Sequence, residues 1–196
     1  MDKPTDAAHY RDDAKRIRSA IESTFALDNG LYRASTGLSG QPDVWGTAYG
    51  VYIGAFNQTR TRTACQALAN AYHAGTLAWH GNIRHVLTSD DFSPTTAWQK
   101  TDVPKNRYQN GAYWVTPTGW VCYAIAKVDR PAAQQLAHEY VQELREGDFR
   151  KGPEFGSPWE CMHPDGGHKQ NPVYLASVTG PLAAFHRIEA EQNPVH

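Results

Sequence analysis

Three stretches of this 196-residue chain contain no charged side chain, and they constrain the fold more than any other feature. A helix without a polar face must be enclosed by other elements on all sides. Each stretch also follows a segment in which apolar and charged residues alternate at helical spacing, so that one face can meet water. The charge-free stretches are residues 44–58, 108–126 and 171–185, and their amphipathic partners are residues 6–26, 59–79 and 131–145.

This alternation predicts an all-α fold, an α/α toroid in which about three helical hairpins place a buried helix inside and a solvated helix outside. The inner segments resemble one another, since Trp45, Trp114 and Tyr174 each precede a glycine and a run of small residues. Buried-helix composition alone would also produce that likeness. We expect residues 1–196 to form a single domain. In such a toroid the starts of the inner helices, and the loops before them, line a central cleft.

Helix boundaries follow from periodicity and from capping residues. Asp43 stands where the N-cap of the second helix, over about 45–56, is expected, and the fourth helix should cover about 116–127. Gly180 and Pro181 lie near the expected start of the sixth helix. The buried stripes are expected at Ala14, Ile17, Ala20, Ile21, Thr24 and Phe25 in the first helix, at Cys65, Leu68, Ala69 and Tyr72 in the third, and at Leu136, Tyr140, Val141 and Leu144 in the fifth.

Two long polar loops are predicted between the helices, at 80–107 and 148–170. Loops of this length inside a compact domain are usually functional or partly disordered. The first loop should contain a single strand, at 83–87, and a short extended segment is expected at 31–33.

Composition argues against several classes of protein. The net charge is −1 and the Lys and Arg residues are scattered, so no nucleic-acid surface is predicted. No run approaches the length of about twenty apolar residues that crosses a bilayer. Residues 2–6 lack a basic then apolar leader, which favours the cytoplasm, although a fragment of a longer chain would also lack one. Cys65, Cys122 and Cys161 are odd in number and have no C-x-x-C spacing, which favours free thiols.

The loops before the predicted inner helices concentrate carboxylates, amides, imidazoles and aromatic rings. Aromatic rings stack on the apolar faces of pyranose rings, amides and imidazoles bond hydroxyls, and paired carboxyl groups cleave the glycosidic bond. This mixture favours a carbohydrate site, and no cofactor is expected. The candidate catalytic residues are Glu160, Asp43, Glu154 and Asp165, and the candidate substrate-binding residues are Trp45, Tyr108, Asn110, Trp114, Trp159 and His163.

Structural roles compete with these assignments. Asp43 is about equally expected as a plain helix cap. Glu154 lies in a Gly-Pro loop and is more often solvated surface in such a place. His163 and His168 would suggest a metal, but their spacing matches no strong ligand signature, so no metal site is predicted.

Two segments resemble a known family. The run Ser-Pro-Trp-Glu-Cys-Met-His-Pro-Asp-Gly at 157–166, followed by Asn171 and by Ala-Ser-Val-Thr, resembles the late active-site segment of six-hairpin glycosidases. The comparison is with the α-L-rhamnosidases, in which a Trp-Glu pair precedes an Asp-Gly turn and an Asn-led inner helix. The Glu of that pair is the general base of an inverting hydrolysis, and the resemblance implies this role for Glu160. Tyr-Gln-Asn-Gly at 108–111, with Trp114, is similar to a motif that lines the sugar cleft in related enzymes.

The chain departs from the family pattern in two ways, in the size of the ring and in its acidic motifs. The resemblance spans roughly 43–188 and implies the C-terminal half of a rhamnosidase-like (α/α)6 barrel. Nothing in the chain resembles the upstream acidic motif that supplies the general acid in that family. We therefore expect a fragment, a pair of copies that close a ring, or a half-barrel with an open groove. Because an open half-barrel exposes apolar inner helices, self-association or a partner half-barrel is expected.

The predicted function is that of a glycoside hydrolase, or part of one, which uses general acid and base catalysis and inverts the anomeric centre. Glu160 is the expected base, and Asp43, Glu154 and Asp165 are the candidate acids. A non-catalytic carbohydrate-binding or assembly module of the same fold is the first alternative. A sugar epimerase or unsaturated-glycoside hydrolase is the second.

Overall fold

The computed structural model describes residues 4–90, 98 and 101–192. Within these ranges the chain forms six α-helices and seven short β-strands, so the expectation of an all-α fold is confirmed only in part: helices predominate, but sheets are present. The helices are α1 (Pro4–Phe25), α2 (Val44–Tyr52), α3 (Gln58–His73), α4 (Thr118–Ala126), α5 (Arg130–Glu146) and α6 (Ala176–Gln192). The strands are β1 (Tyr32–Arg33), β2 (Pro42–Asp43), β3 (Ala78–Trp79), β4 (Asn82–Arg84), β5 (Tyr113–Trp114), β6 (Cys161–His163) and β7 (His168–Gln170).

The helices begin close to the predicted positions because side chains cap them. The Asp43 carboxylate accepts hydrogen bonds from the backbone N–H groups of Trp45 and Gly46, which confirms its predicted place before α2. Asp129 caps α5 in the same way. α2 ends earlier than predicted, because Gly54 takes a φ of +71° that no helix can continue.

α4 lies at the centre of the helical part and packs against α2, α3, α5 and α6. Val121 and Cys122 are fully buried, as expected for a charge-free helix. α2 and α6 differ, because Tyr49 in α2, Ile53 directly after it and Leu182 in α6 remain exposed. The prediction that charge-free helices are enclosed on all sides is therefore confirmed for α4 and wrong for α2 and α6.

The amphipathic helices differ in how much of their apolar stripe is covered. α1 is the exception to the prediction, since Ile17 is 56% exposed. The contacts of α1 lie near its C-terminal end, where Arg18 donates to the carbonyl of Gly54 and Glu22 accepts from the backbone of Asn57. The stripes of α3 and α5 are buried as expected at Cys65, Leu68, Ala69, Leu136 and Tyr140.

The sequence suggested that Pro181 lies near the start of the sixth helix. In the structure it lies inside α6. A proline in a helix leaves the carbonyl four residues earlier without its usual donor. That carbonyl belongs to Ser177, and it accepts a hydrogen bond of 2.9 Å from the hydroxyl of Tyr140 in α5. The bond compensates the lost donor and joins α6 to α5.

Two antiparallel sheets are present, and β4, β6 and β7 lie in the segments that were expected to be loops. β1 pairs with β2, and the second sheet has the order β3-β4-β5-β6-β7. Its register places Trp114 opposite both Ile83 and Cys161. β1 confirms the extended segment predicted at 31–33, and β4 lies near the strand predicted at 83–87. Residues 91–97 and 99–100 of the first predicted loop lie outside the described residues.

The three cysteines are free and buried, as predicted. Burial raises the pKa of the Cys65 thiol to about 11 and that of the Cys161 thiol to about 12. In the described part of the chain, no helix is long and apolar enough to cross a membrane.

Candidate functional site

A cleft of about 520 Å³ opens where the β1–β2 hairpin, the first turn of α2 and the strands β4 and β5 meet. We name it the tryptophan cleft, because three indole rings line it together with small polar groups and one carboxylate. Two of its tryptophans, Trp45 and Trp114, were predicted to contact substrate. The lining residues are Ala34, Ser39, Asp43, Trp45, His85, Trp98, Thr101, Gln109 and Trp114.

Aromatic contacts fix the orientation of the rings in the cleft. Trp45 meets Trp114 edge to face, with ring centroids 5.3 Å apart, and Trp98 stacks on His85 at 4.7 Å. The indole N–H of Trp98 donates to the carbonyl of Gln109 at 2.8 Å. The arrangement gives the cleft a rigid aromatic wall.

Asp43 is the carboxylate of the tryptophan cleft. Burial raises its pKa to about 6, against the opposing effect of the N–H groups of Gly46 and Trp45. A Cβ on residue 46 would lie 2.4 Å from Oδ2 of Asp43, so a glycine is needed for this approach. Asp43 can therefore carry a proton in weakly acidic solution while it remains fixed at the start of α2.

Glu160 lies just before β6 and is 4% exposed. Its backbone N–H donates to the carbonyls of Gln170 and Asn171, which ties it to the end of β7. The side-chain amide of Asn171 donates to Oε2 of Glu160 at 2.6 Å. The carboxylate is therefore buried and held by a specific donor.

Two phenols border this carboxylate. The charge of Glu160 is the main cause that raises the pKa of Tyr174. The pKa of Tyr108 is raised mainly by burial and next by the charge of Glu160. We name Glu160, Tyr108, Asn171 and Tyr174 the Glu160 cluster.

Tyr108 links the Glu160 cluster to the tryptophan cleft. Its backbone N–H donates to Nε2 of His168 at 2.9 Å, and its carbonyl accepts from the indole N–H of Trp114 at 3.1 Å. An Nε2 that accepts a hydrogen bond belongs to the neutral ring, and burial lowers the pKa of His168 in agreement. Tyr108 takes a φ of +38°, which non-glycine residues rarely adopt.

Asp165 and His163 lie together at the turn between β6 and β7. Asp165 pairs with Arg107 at 3.0 Å and lies 3.4 Å from the ring of His163. The N–H of Gly167 is the main cause that lowers the pKa of Asp165, and Arg107 adds to it. Asp165 is thus held ionised, which does not suit a general acid.

Three other predicted residues lie outside the cleft lining. Glu154 is exposed, beside Gly152. Trp159 packs against Gly156, with the ammonium group of Lys169 5.7 Å from its ring. Asn110 is fully buried, and its side chain bonds the backbone of Trp98, so that it supports the cleft wall.

Several residues of these two sites could not be identified from the sequence. His85 and Trp98 were not among the candidate residues, and Gln109 appeared only within the Tyr-Gln-Asn-Gly motif at 108–111. In the sequence, Asn171 and Tyr174 appear as members of short motifs and not as candidate site residues. Among the residues that the structure describes, no group of His, Cys, Asp or Glu has the arrangement of a metal site.

Comparisons of the chain with protein-family models, with curated proteins and with solved structures found no match. A function must therefore be argued from the geometry of the two sites.

Proposed function

We propose that the protein is a glycoside hydrolase, or the part of one that contains the sugar cleft and the catalytic base. The observation that supports this most is the tryptophan cleft itself, an aromatic wall beside a carboxylate whose pKa is raised to about 6. The buried and oriented Glu160 borders Tyr108, whose backbone carbonyl accepts a hydrogen bond from Trp114 in the cleft wall.

Substrate binding would use the rings of Trp45, Trp98 and Trp114 against the apolar faces of a sugar. Ser39, Thr101 and Gln109 offer hydroxyl and amide groups to its hydroxyls. Such a surface suits a ligand with one apolar face and a polar rim, and pyranose rings have this character.

Hydrolysis in this proposal inverts the anomeric centre. Glu160 accepts a proton from a water molecule as that water forms a bond to the anomeric carbon. Asp43 donates its proton to the leaving glycosidic oxygen as the old C–O bond breaks. Of the three candidate acids, Asp43 alone lines the tryptophan cleft. An inverting pair needs carboxyl groups roughly 6.5 to 9.5 Å apart, with the sugar between them.

We also propose that the helices form three hairpins of a partial (α/α)6 barrel. In each pair, α1–α2, α3–α4 and α5–α6, an amphipathic helix precedes a helix without charge, which in α6 holds as far as Phe185. α4 packs between α2 and α6, as an inner helix would. The exposed Tyr49, Ile53 and Leu182 then belong to the face that a second half-barrel would cover.

A non-catalytic carbohydrate-binding module is the second candidate, and specific observations favour it. Both carboxylate oxygens of Asp43 already accept backbone hydrogen bonds. Glu160 is 4% exposed, so water reaches it only if the Glu160 cluster opens. A protein of this kind would bind the same sugars in the cleft without cleaving them.

The test uses aryl glycosides of α-L-rhamnose, α-glucose, β-glucose and β-glucuronic acid. Wild type should release the aryl group from at least one of them, and Glu160→Gln should lower the rate by about 10²–10⁴-fold, the usual contribution of a positioned acid or base. Glu154→Gln is the matched control, since Glu154 is exposed and outside the cleft. Proton magnetic resonance of the first product distinguishes inversion from retention, and an epimerised product would favour the epimerase alternative.

Two results would reject hydrolysis. A Glu160→Gln rate equal to wild type would remove Glu160 from the mechanism. Binding of these sugars without turnover, insensitive to Glu160→Gln but lost in Trp98→Ala, would establish the binding module instead.

A further inference from the structure

Gln41 is a buried amide without a hydrogen-bond partner. Its side chain is 6% exposed, and neither Oε1 nor Nε2 has a partner in the structure. Buried polar groups are almost always paired, and an unpaired one costs the free energy of its desolvation. Such a group therefore calls for a functional explanation.

Gln41 lies in the β1–β2 hairpin next to the tryptophan cleft, between residues that line it. Ser39 and Asp43, two residues before and after Gln41, both line the cleft. Ala34, which donates its backbone N–H to the carbonyl of Gln41 at 2.9 Å, also lines it. Gln41 thus lies between cleft residues along the chain and across the hairpin.

A second unpaired donor lies on the other side of Asp43. The indole N–H of Trp45 is buried and has no partner, although the ring of Trp45 lines the cleft. An amide and an indole N–H without partners therefore stand two residues before and two residues after the carboxylate that we propose as the acid. Both offer hydrogen bonds that the free protein does not use.

We propose that Gln41 is a specificity-determining residue that binds two adjacent hydroxyl groups of the sugar in the tryptophan cleft. A primary amide presents a donor and an acceptor side by side, and two neighbouring hydroxyls can pair with both. No hydrogen bond holds the Gln41 side chain in its present rotamer, so turning the amide into the cleft breaks none. The inference rests on the proposed carbohydrate function and defines the substrate class, a sugar with a free vicinal diol at the ring edge that faces Gln41.

The experiment compares wild type with Gln41→Met, an unbranched apolar replacement of similar length. Gln66→Met is the matched control, because Gln66 is exposed on α3 and bonded to Asn70. Thermal unfolding is measured without ligand. Binding of the methyl glycosides of rhamnose and glucose, and of their monodeoxy derivatives, is measured by titration calorimetry.

Gln41→Met should keep or raise the melting temperature, because it removes an unpaired buried amide. It should weaken sugar binding at least tenfold. Wild type should also bind one monodeoxy derivative at least tenfold more weakly than the parent glycoside, and Gln41→Met should lose this discrimination. Gln66→Met should match wild type in every measurement.

Three results would overturn the inference, and they are distinguishable from one another. A melting temperature several degrees lower in Gln41→Met would show that the amide has a stabilising partner in the free protein. Equal sugar binding by wild type and Gln41→Met would reject the role of Gln41 and leave the proposed function intact. Absence of binding by wild type to every glycoside would reject the proposed function and the inference together.

Discussion

The side-chain amide of Asn171 donates a 2.6 Å hydrogen bond to Oε2 of Glu160 from a left-handed backbone conformation, with a φ of +49°. A non-glycine residue in this region stores strain of about 1–3 kcal/mol, which the surrounding structure must offset. Tyr108, on another side of the same carboxylate, is also left-handed. Strain of this kind clusters at functional sites, which agrees with a demand for one fixed orientation of Glu160.

Asn171→Ala and Asn171→Gly should both reduce hydrolysis at least tenfold, because each removes the donor that orients Glu160. Asn171→Gly should unfold at the higher temperature of the two, since glycine adopts a positive φ without strain. Steady-state rates and thermal melts test this prediction. If Asn171→Gly hydrolyses at the wild-type rate, the amide does not position the base.

Replacing Glu160 by Gln should lower the pKa values of Tyr108 and Tyr174. The charge of Glu160 opposes formation of a tyrosinate beside it and contributes to both raised values. Titration of tyrosinate absorbance in wild type and Glu160→Gln would show two phenols that ionise at lower pH in the variant. The same titration in the Tyr174→Phe background should retain one shifting phenol. Superimposable curves would mean that the Glu160 cluster is not assembled as described.

Asp43 should make stability fall as the pH rises. Its pKa is raised from 3.8 to about 6 on folding, so the folded protein binds the proton more tightly than the unfolded chain. Its contribution is fully present below pH 3.8 and is lost as the pH rises through about 6. The variant Asp43→Asn isolates this effect, because the Asn side chain can still accept a hydrogen bond from the N–H of Gly46 but does not titrate.

Urea unfolding should therefore show that the stability of wild type relative to Asp43→Asn is lower at pH 7 than at pH 4. Hydrolysis by wild type should decline above pH 6 as the acid loses its proton. A pH-independent difference in stability would contradict the raised pKa of Asp43.

The exposed apolar residues of α2 and α6 should support self-association. Ile53 is 55% exposed beside the exposed Tyr49, and isolated monomers rarely leave a continuous apolar face uncovered. Sedimentation equilibrium should detect dimers of wild type and a weaker association of Ile53→Asp. Gln66→Asp on α3 is the matched control and should behave as wild type. Monomeric wild type at high concentration would argue against two copies that close a ring.

The helices were predictable because their signals are local. Asp43 and Asp129 cap the helices they precede, and Leu68 and Leu136 occupy the buried stripes that their spacing indicated. The five-stranded sheet was missed because its strands have two or three residues, too few to show an alternating pattern. The stripe of α1 was predicted wrongly for another reason, since Ile17 has the spacing of a buried residue but is 56% exposed.

The site was predictable only in its parts. Asp43, Trp45 and Trp114 were expected to meet, and all three line one cleft. The contact between Tyr108 and Glu160 depends on the pairing of β5 with β6, which are distant in sequence. No local pattern contains that information, so the sequence could identify both residues without revealing that one borders the other.

Tyr108 has its backbone amide bonded to His168 and its carbonyl bonded to Trp114. Because this single residue belongs to the Glu160 cluster and is bonded to the cleft wall, the two places are expected to respond to each other. Any ligand that displaces the Trp114 indole would alter the surroundings of Glu160. The coupling is reciprocal, so changes at Glu160 or His168 would alter the affinity of the cleft by the same free energy. Recognition and chemistry in this protein would then be linked through one residue, Tyr108.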